Sequence, residues 1–139
     1  MTPPSATFTA SNGSEKDRYY RWIVENKIDI IRGEGFEIAP DELHPALKPH
    51  TADAVRWAAS RGRALLASKF GMHKTRQQIE LLRQVVHRNP GAKVMQVCPL
   101  GARYQFTEID GPVMGVHFQY VRTDEEAEAA DTPYLITNY

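Results

Sequence analysis

The 139-residue sequence has little cysteine, no long apolar run and no recognisable leader. Its single cysteine, Cys98, excludes an internal disulfide and favours a reducing cytoplasm as the compartment. No apolar stretch approaches the roughly 18 residues that a membrane-spanning helix needs, so no membrane partner is expected. The opening residues, MTPPSATFTASNGSEK, lack a basic region followed by an apolar one, and we therefore expect no export signal.

Metal-ligand patterns are also missing from the sequence. No two of the five histidines stand four residues apart on one predicted helix, and Cys98 has no CxxC partner. Cys98 follows an apolar run and precedes Pro99, a setting more typical of a core residue than of a nucleophile. We therefore expect no metal site and no cysteine chemistry.

The net charge is zero, but the charges are unevenly distributed along the chain. From Arg56 to Lys93 there are nine lysines or arginines and one acid, Glu80, whereas residues 124–131 carry five acids and no base. A partner meets local charge rather than net charge, so the basic region predicts contact with phosphates or with an acidic protein surface. A solvated surface that the acidic segment neutralises is the alternative.

Turn residues and apolar periodicity divide the chain into three parts. Residues 1–13 are rich in proline, serine, threonine and alanine, and predict a flexible N-terminus. Residues 14–50 predict a helix to about residue 31, followed by a connector that glycines and prolines interrupt. Residues 51–139 form the third part, which we interpret as an α/β domain.

Helices and strands alternate in the prediction for this third part. The helices are expected at 52–60, 74–87 and 124–130, and the strands at 64–67, 93–98, 116–121 and 134–137. The first two strands and the helix between them make a right-handed βαβ unit in this prediction. The expected fold class is α/β, with an open parallel sheet flanked by helices and an N-terminal helical extension.

The stretch ALLASKFGMHKTRQQIE places an apolar run, a tight turn and a helix in succession. A complete phosphate-binding loop reads G-x-x-x-x-G-K-[ST], because backbone N–H groups cradle the phosphates and the lysine reaches them. Lys74 and Thr75 fit this pattern, but Ser68 and His73 stand where it has glycines, and Gly71 is the only glycine left. The stretch therefore predicts a degenerate phosphate loop, with a plain strand-turn-helix as the alternative.

Four phrases carry a resemblance to a known family. They are LKPHTADAVRW at 47–57, FGMHKT at 70–75, VCPLGARYQF at 97–106 and LITNY at 135–139. In this order they resemble the phrases LKPHQ-x-x-A-V-x-W, FGLGKT, APLGV-x-x-F and LITNYE of the N-terminal RecA-like lobe of superfamily 2 helicases, of the Swi/Snf-like sort that phages and prophages encode. The resemblance implies a partial RecA-like, P-loop-type sheet.

Departures from the family pattern imply that the ATPase activity is lost. Thr51 stands where the family has an adenine-reading glutamine, His73 replaces a loop glycine, and Lys69 occupies a position that is often acidic in relatives. The family's Asp-Glu motif and second lobe do not occur before Tyr139. We therefore expect no catalytic residue and neither ATP nor Mg²⁺ as a cofactor.

Two sets of candidate site residues follow, one from the resemblance and one from the basic region. The vestigial nucleotide site consists of Thr51, Gly71, His73, Lys74 and Thr75. The candidates for contact with phosphate or an acidic partner are Arg61, Arg63, Lys69 and Arg76.

The function that these observations predict is non-enzymatic binding or inhibition by a truncated helicase lobe. The phage-type resemblance suggests a counter-defence, anti-CRISPR-like protein that contacts a host defence complex. Two alternatives stay open: a nucleotide- or DNA-binding module, and a gene fragment without a role beyond folding. We also expect a two-fold homodimer, because a strand at 64–67 would leave an open edge in the sheet. Burial of that edge against a target protein, or its coverage by the predicted N-terminal helix around 19–31, is the alternative.

Overall fold

The computed structural model describes residues 34–139 and two isolated helical positions, Arg18 and Arg21. The chain divides into two compact units, Met1–Ile31 and Arg32–Tyr139, and the second unit is described below. The predicted flexible N-terminus and the predicted first helix lie outside the described residues, apart from the two isolated positions. No helix within the described part is long and apolar enough to cross a membrane.

Helices surround a small parallel sheet in the second unit. The helices are α1 (Pro49–Arg61), α2 (Lys74–Arg88), α3 (Gly111–Val113) and α4 (Asp124–Ala129). The strands are β1 (Val94–Val97), β2 (Gln119–Tyr120) and β3 (Tyr134–Thr137). Short 3-10 helices lie at Pro40–Glu42 and Leu100–Ala102, and a π-helix at Gln105–Asp110 leads into α3.

Helix α1 confirms the helix predicted at 52–60. It begins at Pro49, which suits the first helical position because its missing N–H would have no partner there. It ends before Gly62, whose φ of 70° glycine adopts without the steric strain that a Cβ would cause. The buried residues Val55 and Ala59 are one turn apart and pack against Ile38 of the preceding segment.

The three strands form one sheet in the order β1-β3-β2, with both pairs parallel. Val94 lies beside Tyr134 in the first pair, and Gln119 beside Leu135 in the second. One face of the sheet packs on α2 and the segment that follows β1, through a core that contains Ile79 and Ile136. The α/β class with a parallel sheet flanked by helices is therefore confirmed.

The strand predicted at 64–67 is wrong. These residues have no regular structure, and Leu65 is 84% exposed. Four apolar residues in a row do not show whether a segment is buried, and a strand exists only where a neighbouring strand completes its hydrogen bonds. The predicted βαβ unit is wrong for the same reason, and the open-edge argument for a dimer at this segment falls with it.

The other strand predictions hold to different degrees. Those at 93–98 and 134–137 correspond to β1 and β3, while that at 116–121 shrinks to the two residues of β2. Val116 and Phe118 are buried although they lie outside the strand. Their apolar character therefore reflects packing in the core rather than pairing in the sheet.

The glycine- and proline-rich connector belongs to the second compact unit from residue 34 onward. The amide of Phe36 donates a hydrogen bond to the carbonyl of Ala59 at 2.9 Å. Gly35 lies so close to the end of α1 that a Cβ there would approach the Ala59 oxygen to 2.2 Å. The connector is thus packed along α1.

Candidate functional site

The residues of the degenerate phosphate loop lie together where α2 begins. His73 is the residue before the helix and adopts a left-handed conformation, with φ 52° and ψ 42°. Gly71 is also left-handed, with φ 77°. The first helical hydrogen bond runs from the amide of Gln77 to the carbonyl of His73 at 3.2 Å, and the His73 side chain does not cap the helix. The backbone thus turns sharply twice before Lys74 and Thr75.

Lys74, the residue that would reach a phosphate, is turned back onto its own loop. Its Nζ donates to the carbonyl of Ser68 at 3.3 Å and lies 5.3 Å from the centre of the Phe70 ring. Both partners are uncharged, so they hold the ammonium group in place but leave its positive charge uncompensated. An anion at the start of α2 would have to draw Lys74 away from these partners.

Gln77 fixes the loop to the helix and was not predicted from the sequence. Its Nε2 donates to the carbonyl of Met72 at 2.9 Å, and the residue is almost fully buried. Its Oε1 is buried without a hydrogen-bond partner among the described residues. A glutamine on the apolar side of an amphipathic helix is the only sequence signal of this role, because the bond depends on how the loop folds.

Thr51 is not exposed toward a ligand. Its side chain is fully buried, and its Oγ1 donates to the carbonyl of Lys48 at 2.6 Å. The start of α1 nevertheless lies near the loop, since the rings of His50 and His73 have centroids 6.5 Å apart. The structure therefore brings the Thr51 end of α1 close to the loop but leaves its hydroxyl engaged in the helix.

The four cationic candidates fall into two environments. Arg76 is half-buried, with Nε 2.8 Å from Asp110 Oδ1 and a second bond to the Ala46 carbonyl at 3.2 Å. Arg61, Arg63 and Lys69 are exposed. Arg76 ties α2 to the π-helix, whereas the other three present charge to the solvent.

Large apolar side chains are exposed close to these three cations in the sequence. Phe70 is 99% exposed and Leu65 is 84% exposed. Trp57, on the last turns of α1, is also exposed, with the Arg61 guanidinium 5.8 Å from its ring centre. Residues 54–79 contain no acid. We call residues 57–73 the basic-apolar segment, since it offers bare apolar surface and positive charge together.

A groove lies beside the segment that follows β1. It has a volume of about 620 Å³, and Arg103 and Tyr120 are among the residues that line it. The Arg103 guanidinium lies 4.4 Å from the Tyr120 ring centre, and the Tyr120 hydroxyl donates to Asn138. Sequence reasoning missed these residues because they come from separate elements that only the fold brings together.

Cys98 is buried in the main core, as the sequence predicted. Burial raises the pKa of its thiol, and the opposing effect of Arg103 is smaller. The thiol is therefore protonated at neutral pH and is a poor nucleophile.

Comparisons of the chain with protein-family models, with curated proteins and with solved structures gave no match.

Proposed function

We propose that this chain is a non-enzymatic binding protein that contacts an acidic protein partner through the basic-apolar segment. The observation that carries the proposal is the exposure of Leu65, which lies between Arg63 and Lys69, and of Phe70, which follows Lys69, with no acid nearby in the sequence. Bare apolar side chains cost a soluble protein free energy, and they commonly mark contact sites. The cations select an acidic partner.

The size of these side chains suits them to anchor a contact. Burying a phenylalanine or leucine side chain fully is worth about 1.5–3 kcal/mol. Aromatic and arginine anchors dominate most protein interfaces, and Trp57 with Arg61 supplies such a pair at the end of α1. Phe70, Leu65 and Trp57 are therefore the anchors that we expect to contribute most to the contact.

The absence of catalysis is part of the same proposal. Support comes from three residues of the vestigial site: Thr51 is buried, His73 replaces a glycine, and Lys74 is bonded to its own loop. We propose a partial RecA-like fold that acts in the cytoplasm without ATP or Mg²⁺, as an inhibitor of a host defence complex. ATP turnover that Lys74→Ala abolishes would contradict this part of the proposal.

Site-specific crosslinking tests the contact. A photoreactive residue at position 70 should capture a partner that the same residue at position 113 does not, since Val113 is exposed on a different element. The captured protein should carry an acidic surface, and Phe70→Asp should weaken its measured binding at least about tenfold. Val113→Asp is the matched control and should leave binding unchanged. Equal capture at both positions, or full binding by the Phe70 variant, would overturn the proposal.

A second candidate function is weak phosphate or nucleotide binding. It is favoured by the left-handed backbone at Gly71 and His73 directly before Lys74, at the start of a 15-residue helix. Helix N-termini attract anions because their first N–H groups are free and the helix dipole is positive there. Calorimetry with ATP, with and without Mg²⁺, tests it: His73→Gly should raise the affinity and Lys74→Ala should remove it. Equal affinity in both variants would exclude the loop as the site.

A further inference from the structure

Strand β1 has one side of its backbone without a partner among residues 34–139. The amides of Val94 and Cys98 donate to the carbonyls of Pro133 and Thr137, on the β3 side. Because backbone groups alternate along a strand, the N–H and C=O of Met95 and Val97 point to the other side. Strand order β1-β3-β2 places no described strand there.

Edge strands are usually protected against pairing by charges, prolines or bulges, and the sequence of β1 itself, Val-Met-Gln-Val, carries no such charge or proline. The nearest charge, Lys93, is directed away, because its Nζ donates to the carbonyls of Ala127 and Glu128 at 2.7 and 2.8 Å. The opposite edge differs, since β2 is only two residues long and is followed by the exposed Arg122 within three residues.

The sheet face at β1 is also partly uncovered. Met95 and Val97 are 43% and 53% exposed, on the same face as Leu135. Leu135 itself is buried against Val121 and Ala130. Val121 and Ala130 therefore shield Leu135 at the centre of the sheet, whereas the apolar side chains of Met95 and Val97 on β1 stay in contact with water.

We propose that β1 pairs with β1 of a second copy of this chain, antiparallel and across a two-fold axis at Gln96. In this register Met95 lies opposite Val97 of the second copy, so the exposed apolar side chains cover one another. The outward N–H and C=O groups of both residues find partners, which gives four hydrogen bonds across the axis. The Gln96 side chain already donates to the Val97 carbonyl at 3.0 Å, and that oxygen keeps a second lone pair.

We choose a second copy of the chain as the partner of the free β1 edge because the sequence of β1 is complementary to itself. A two-fold axis requires that each residue meets a suitable residue of an identical strand. Here apolar meets apolar, glutamine meets glutamine, and no like charges are opposed. The contact is short, so we expect a reversible dimer with a dissociation constant of about 10–1000 µM.

Sedimentation equilibrium of the full chain tests the pairing. The mass should rise with concentration from 15.7 kDa toward twice that value, and Val97→Lys should weaken the association at least about tenfold. Gln119→Lys adds the same charge on the same sheet face at the other edge, and should leave the association unchanged. Amide hydrogen exchange should slow at Met95 and Val97 as the concentration rises.

Three results would overturn the pairing. They are a constant mass of 15.7 kDa up to about 1 mM, an association that Val97→Lys leaves intact, or one that Gln119→Lys weakens equally. Phe70→Asp separates this inference from the proposed function, because it alters the basic-apolar segment and leaves β1 untouched. A dimer that is lost in the Phe70 variant but kept in the Val97 variant would place the contact at that segment.

Discussion

His73 is the only non-glycine residue with a positive φ among the described residues. A left-handed conformation costs an ordinary residue roughly 1–2 kcal/mol, and glycine avoids this cost at the expense of a more flexible unfolded chain. We therefore expect His73→Gly to raise the free energy of unfolding by about 0.5–1 kcal/mol. Urea titration at neutral pH measures the change through the midpoint.

Gly71 supplies the matched control for this prediction. Its φ is 77° and a Cβ would meet nothing within 4 Å, so only backbone strain opposes Gly71→Ala. That substitution should lower the free energy of unfolding by about 1 kcal/mol. If both substitutions raise or both lower the free energy of unfolding, the left-handed backbone at these two positions does not determine the effect.

The second prediction at the scale of a residue concerns His44. Burial is the largest cause that lowers the pKa of His44, Arg83 and Arg76 lower it further, and Glu80 opposes them. Its Nδ1 accepts a hydrogen bond from the amide of Ala46 at 3.1 Å, which only the neutral ring can do at that atom. The folded chain thus binds this proton less well than the unfolded chain.

The sign of the pH dependence follows from linkage. Stability from neutral His44 is fully present above the ordinary pKa of 6.5 and is lost as the pH falls through that value toward the lower pKa of the folded state. The melting temperature should therefore fall between about pH 7.5 and pH 5. His44→Asn keeps an acceptor but does not titrate, so its melting temperature should fall less. An equal fall in both proteins would assign the pH dependence to other groups.

At the scale of elements, the helices α1, α2 and α4 were predictable, whereas the π-helix, α3 and the absence of a strand at 64–67 were not. Helix α2 carries its own signals, since Ile79 and Leu82 repeat with helical spacing and Asn89-Pro90 ends it. Residues 64–67 have the composition of a buried strand, but whether a strand forms depends on a neighbouring strand, which local sequence does not contain. The π-helix at Gln105–Asp110 was missed, and its last residue, Asp110, has its charged partner on a distant element.

That partner is Arg76 on α2, and Gln105 donates to the other Asp110 oxygen at 2.6 Å. Gly111 follows directly and has no room for a side chain, since a Cβ would lie 2.2 Å from the Phe106 carbonyl oxygen. Gly111→Ala should therefore force the π-helix apart and lower the free energy of unfolding by about 2–3 kcal/mol. Chemical denaturation followed by circular dichroism measures this loss.

Gly101 is the control for the π-helix prediction. It lies in the preceding 3-10 helix, and a Cβ there would meet nothing within 4 Å. Gly101→Ala should change the free energy of unfolding by less than about 0.5 kcal/mol. A comparable loss in both variants would mean that the Gly111 contact is not the cause.

At the scale of the whole molecule, the candidate site was partly predictable. Gly71, His73, Lys74 and Thr75 lie within five successive positions, so the motif that named them also placed them together. The role of Arg76 was not predictable, because its partner Asp110 is 34 residues away. Charge in a sequence indicates where cations are, and only the fold decides which of them remain free.

The connector and α2 are joined by a buried polar network centred on Glu80. This carboxylate is fully buried, forms an ion pair with Arg83, and accepts hydrogen bonds from Gln84 Nε2 at 2.8 Å and from the His44 amide at 3.3 Å. Arg88 extends the network to both oxygens of Glu42 at 3.1 Å. One buried acid thus satisfies groups from two parts of the chain that are distant in sequence.

Removal of Glu80 should therefore destabilise the whole unit. Glu80→Ala leaves the Arg83 charge without its partner and the Gln84 amide with only its bond to the Glu42 carbonyl. Losing one member of a buried ion pair costs about 3–5 kcal/mol. Because Arg83 keeps some contact with solvent, we expect a loss of about 3 kcal/mol, with an unchanged dependence on urea concentration. Glu108→Ala, which removes an exposed acid, should leave stability unchanged. A loss below about 1 kcal/mol for Glu80→Ala would mean that water or Glu42 replaces Glu80 as the partner.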